Sequence, residues 1–406
     1  MAPLHRRPEA VSVTAARPLP PEMEVIRAKA LRALRDVRSV QHDTRAVSNF
    51  WVDAKRTDAG RRLPEYYLVY FLLVELLGFP HEGPEEKVAW TIPLDYRGTL
   101  YTIEHRKMGL GLFIPDPDAH AAEANEIVNR IEKATKEAQP FFDWLADQQV
   151  AQSAVNVANH SQPLHQRYKF LRDSAQAQFD AAERRQAESR AAAAQITSLS
   201  DWPKLHLLGT RFEPEGDWLA LSAVEAFFSW TEHALIHLAI LQGRVTTASQ
   251  VATLAAGDWT GKFKAVLDLS DAGAPALLNR ILAVRQDLRN HVAHGAFGKQ
   301  GEALSFHSSA GAVPVLLPHR TGPRHFRIGH GLAFDARRVF GVLDEFEAFM
   351  FAGARAPARV FLLEERYDTV LTMAATYAIA MQSISEMRDF LRHWGDQVDR
   401  SANMDW

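Results

Sequence analysis

The stretch VRQDLRNHVAHGAFG, residues 284–298, places Arg289, Asn290, His291 and His294 in a short span that ends at Gly295. These are side chains suited to a phosphate and a proton. A guanidinium offers a planar fork of donors that matches phosphate oxygens, so Arg289 is the candidate phosphate holder. An imidazole near the carbonyl end of a helix keeps its proton more firmly than a free one. His294 is therefore the candidate general acid toward a leaving 5′-oxygen. Asn290 is suited to orient either the phosphate or the imidazole. In RNA the attacking 2′-hydroxyl is already in place, so this chemistry requires no metal and no cofactor, only fixed donors against the developing charge.

A helix must carry these groups. Ala276, Leu277, Ile281, Leu282, Val284, Leu288 and Val292 supply an apolar stripe at helical spacing. Asn290 and His294 are one turn apart on one face, as are His291 and His294. Arg289 stands about 140° round from His294 on a regular helix. A second copy of the helix across a two-fold axis would bring arginines and histidines into one cleft, so a homodimer is expected. Glu232, His233 and His291 are further candidates for lining that cleft.

The helices around the motif follow a recognisable order. A long one, LALSAVEAFFSWTEHALIHLAILQG, ends at Gly243; a shorter one, WTGKFKAVLDLS, precedes the motif helix; two more helical patterns lie beyond residue 334. Arg289-Asn290, three residues, then His294 at a helix end resembles the signature of the HEPN superfamily, over residues 215–400. The resemblance implies a HEPN-like helical bundle and a dimeric, metal-independent endoribonuclease that leaves 2′,3′-cyclic phosphates. It also implies a toxin–antitoxin or anti-phage setting, with an antitoxin or regulatory protein as a further partner. Arg289 and His294 are the implied catalytic pair and Asn290 the supporting polar residue; the resemblance gives His291 no role.

Other readings use the same residues. Arg and His near a helix C-terminus are favoured by the helix dipole whatever the function. A HEPN fold without catalysis would be a dimerisation or partner-binding module. His233 and His237, with His291 and His294, could together hold zinc or iron if the two helices meet, with a carboxylate from Glu225 or Glu232. No glutamate stands between His233 and His237, unlike the H-E-x-x-H pattern, and the expectation is no metal.

The totals narrow the classes. At 406 residues, two or three domains are expected. A net charge of −3 provides no overall basic field for nucleic acid, so any contact with RNA must be local. There are no cysteines, which removes disulfides, thiolate metal sites and cysteine nucleophiles, and suits a cytoplasmic protein. The proline-rich first 22 residues read as a flexible tail rather than a signal peptide. YYLVYFLLVELLGF at 66–79 is short for a bilayer and carries Glu75, so it reads as a buried helix, and no membrane partner is expected.

The expected fold class is mainly α. Residues 23–115 read as a small α+β module with a β-hairpin around Arg97-Gly98, and 116–200 as a connector of long helices resembling a coiled-coil arm. Residues 215–400 read as the helical domain, with a β insertion at about 300–334. The glycines of GLGLF at 109–113 make a poor phosphate loop, because no helix follows them closely.

Overall fold

The computed structural model describes residues 18–40, 54–194, 215–294, 302–309, 311–318, 327–328 and 335–405; for 193–194, 287–294, 302–308, 311–318 and 327–328 it describes the backbone alone. The chain is mainly helical with a small antiparallel sheet. It divides into two compact units, residues 1–151 with 392–406, and residues 152–391.

The first unit is built on a five-stranded sheet in the order β1-β3-β4-β5-β2. Its strands are β1 (Val37–Ser39), β2 (Lys55–Arg56), β3 (Val88–Tyr96), β4 (Thr99–Arg106) and β5 (Gly109–Ile114). The register Ile92–Ile103–Leu112 follows from the alternation, which puts Ile92, Leu94, Tyr96, Tyr101, Ile103, Leu112 and Ile114 on one buried face. The β3–β4 turn is the expected two-residue hairpin: Tyr96 pairs with Thr99, and Arg97 and Gly98 both have positive φ, at 55° and 86°. Helices α1 (Pro21–Leu34), α2 (Tyr66–Tyr70, continuing as a π-helix over Phe71–Leu76) and α3 (Ala121–Glu137) share the sheet's apolar core. α4 (Gln139–Ala151) follows α3 after a break beside Pro140 and adds Phe141, Phe142 and Leu145. The apolar run at 66–79 is thus a buried helix, with Val69, Leu72, Leu73 and Leu76 fully inside.

The stretch expected as a single connector, 116–200, is divided between the units. α3 buries Ala124, Ile127, Val128 and Ile131 in the first unit's core, a stripe at i, i+3, i+4 and i+7. The 34-residue α5 (Ser161–Ala194) belongs to the second unit. Its Tyr168 packs against Phe227 and Trp230, so it is a core partner over much of its length rather than a free-standing arm. Helical texture alone does not tell which apolar surface a helix will cover.

The second unit centres on α6 (Glu215–Leu241), which is buried nearly all round. Around it stand α5, α7 (Ala248–Ala256), α8 (Trp259–Val266), α9 (Ala274–His294) and α10 (Ala336–Met350). α7 opens with a capping box between Thr247 and Gln250. A three-stranded antiparallel sheet of β7 (Glu302–Ser308), β8 (Gly311–Pro318) and β9 (Arg327–Ile328) lies within the span expected for the β insertion. A small ribbon pairs β6 (Asn156–Val157) with β10 (Thr369–Val370). Among the described residues no helix is long and apolar enough to cross a membrane.

Candidate functional site

α9 is rooted at its start. Leu277, Leu278 and Ile281 are buried, and Leu282 and Val284 pack against the same core. Arg280 pairs with Glu345 of α10, and the Arg285 guanidinium lies 5.8 Å from the ring centre of Phe228 on α6. The first three turns thus fix the helix, and its backbone continues to His294. Arg289, Asn290, His291 and His294 occupy its last two turns by position; their side chains lie outside the described residues, as does Gly295.

Glu232 and His233 of α6, expected to line the cleft, each have a defined partner within the second unit. Glu232 Oε1 is 2.5 Å from the Lys262 ammonium of α8. That ammonium also donates to the Gly257 carbonyl at 2.8 Å, and Lys262 is only 1% exposed. The pair closes the end of α7 while Glu232 keeps one side in solvent. One position earlier, Thr231 accepts from Trp259 Nε1 at 3.1 Å, tying α8 to α6 a second time.

His233 and His237 form a defined pair. His237 is fully buried; its Nε2 lies 3.1 Å from the Ala158 carbonyl and 3.1 Å from His233 Nε2, and its Nδ1 lies 2.7 Å from Thr369 Oγ1. A carbonyl only accepts, so His237 Nε2 carries the proton and Nδ1 accepts from the Thr369 hydroxyl. His233 Nε2 receives the backbone N–H of His160 at 2.8 Å, so that nitrogen is bare and the His233 proton sits on Nδ1. Burial holds both rings neutral: it presses His237 down to about 3, helped by His233, and His233 down to about 4, helped by His160. A metal at these rings would have to displace bonds already made. Among the described residues no three histidine, aspartate or glutamate side chains are grouped to hold one.

His160, Thr369 and Lys262 escaped the sequence reading. A buried lysine in WTGKFKAV looks like any solvated helix lysine, and Thr369 lies 132 positions from its histidine partner. His160 contributes a backbone N–H that every residue but proline shares.

Comparison with protein-family models, with curated proteins and with solved structures yields no match to this chain.

Proposed function

We propose that the chain is a metal-independent endoribonuclease of HEPN type, acting as a homodimer in the cytoplasm as a toxin or anti-phage effector. The observation that carries the reading is the spacing Arg289-Asn290-x3-His294 in the last turns of a helix whose first half is built into a helical core. The order of a long α6, shorter α7 and α8, and then α9 supports it.

In this mechanism the 2′-hydroxyl oxygen attacks the adjacent phosphorus, its proton passing to water, while the bond to the 5′-oxygen breaks, giving a 2′,3′-cyclic phosphate and a free 5′-hydroxyl. Arg289 holds the phosphate oxygens as charge builds on them. His294 delivers the proton that the departing 5′-oxygen needs. Asn290 orients the phosphate or the imidazole.

The test is cleavage of a total-RNA pool in EDTA by wild type, Arg289→Ala and His294→Ala. Cutting that survives chelation, leaves cyclic-phosphate ends and falls at least about a hundredfold in both variants is the expected result. Cutting abolished by EDTA and untouched by the substitutions would reject the mechanism. A dimeric wild type that never cuts, even when it is toxic to cells, would point to a binding module.

A further inference from the structure

The paired histidines of α6 lie at a joint. His160 is the residue before α5, and its carbonyl accepts from Leu164 N–H, the first turn of that helix. Its own N–H goes to His233. Ala158, beside β6, and Thr369, in β10, both bond His237. Two rings on one face of α6 therefore hold the start of a 34-residue helix and both strands of the β6–β10 ribbon.

The two rings respond differently to a proton. His237 would take one on Nδ1, and the Thr369 hydroxyl can turn to accept it, leaving every bond satisfied. His233 would take one on Nε2, where two N–H groups already point, from His160 and from His237. Three donors would then meet with no acceptor among them. His233 is also the nearer of the two to solvent, with His237 fully buried and His160 exposed.

Among the described residues, neighbouring charges offer no relief. The His160 ring lies 5.8 Å from the His233 ring and repels a second positive charge. The Asp368 carboxylate accepts from Asn159 N–H at 3.1 Å, and Glu232 is turned onto Lys262.

We propose that His233 is a proton-operated latch: its bare Nε2 pins the start of α5 to α6 through the His160 N–H, and protonation releases it. What stays fastened is the link between α5 and the strand segment, because Asn159 Nδ2 donates to Tyr367 O at 3.2 Å and Gln162 Nε2 to Leu363 O at 3.2 Å. The fastening of the α5 start to α6 opens, while His237 keeps its bonds to Ala158 and Thr369. This inference does not rest on the nuclease reading.

Amide hydrogen exchange on the full chain, normalised to intrinsic rates at each pH, tests it. In wild type the opening of the His160 amide should rise about tenfold per pH unit between pH 6 and 4, as one-proton linkage requires. In His233→Gln, whose side-chain carbonyl still accepts from His160 N–H, the profile should be flat. A flat wild type, or an equally steep variant, overturns the latch. Should the variant not fold, imidazole nitrogen shifts of wild type decide the matter. His233 Nε2 should stay bare until the His160 amide begins to open, and its protonation with full amide protection retained would overturn the proposal.

Discussion

Lys262 and Glu232 show how one ion pair has two unequal halves. The ammonium is buried and, among the described residues, is bonded to Glu232 and one carbonyl, whereas the Glu232 side chain is 41% exposed and can be rehydrated if its partner leaves. Removing the carboxylate strands a buried charge; removing the ammonium does not. Glu232→Ala should therefore cost about 3 kcal/mol, near the lower end for a broken buried pair. Lys262→Met, which keeps the packing volume, should cost less than about 1.5 kcal/mol. Urea midpoints of the two variants compare them directly, and equal losses would show that the pair is worth no more than a surface contact. The same asymmetry explains why Glu232 looked available from the sequence: an acidic residue on a helix gives no sign that a lysine 30 positions away will be buried beneath it.

At the level of elements, legibility followed the range of the interaction that decides each one. The β3–β4 hairpin is set by local chemistry, alternation and an Arg-Gly turn, and it stands where expected. Helices α6 and α9 also show in their apolar spacing, and Leu277, Ile281, Leu282 and Val284 pack against the core as read. The placing of α3 and α5 in different units depends on partners far along the chain and was not legible. Glycines divide along the same line. Gly98 has φ +86° with open space around it, so Gly98→Ala meets only backbone strain, about 1 kcal/mol. Gly60 looks ordinary in sequence, yet a Cβ there would lie 2.4 Å from the Leu112 backbone nitrogen. Since Thr57 N–H bonds Leu112 O at 2.8 Å, Gly60→Ala must push the segment after β2 away from β5. Thermal denaturation should show a loss for Gly60→Ala at least twice that for Gly98→Ala, and the reverse order would mean that this edge of the sheet is loose.

On the scale of the whole chain, two linkages bring remote parts together. The first is to protons. His233 and His237 stay neutral in the folded chain down to about 4 and about 3, whereas unfolded they take protons near the ordinary 6.5. Below that value the unfolded chain binds more protons, so their contribution to stability is complete above pH 6.5 and declines as the pH falls toward 4. Denaturation midpoints followed from pH 7 to 4.5 should fall more steeply for wild type than for His237→Gln, and parallel curves would show that the buried ring is not what acid attacks. The second linkage is to another copy of the chain, on the nuclease reading. Positions 289 and 294 stand about 140° apart around a helix, so one copy of α9 does not readily aim both side chains at one phosphate. A cleft formed across a two-fold axis draws its arginine and its histidine from different copies. Arg289→Ala and His294→Ala, each silent alone, should therefore regain part of the cleavage when mixed and allowed to exchange partners, because the mixed dimer keeps one arginine and one histidine that face each other. Mixtures that exchange subunits and still do not cut, beside an active wild type, would assign both groups to a site within a single chain.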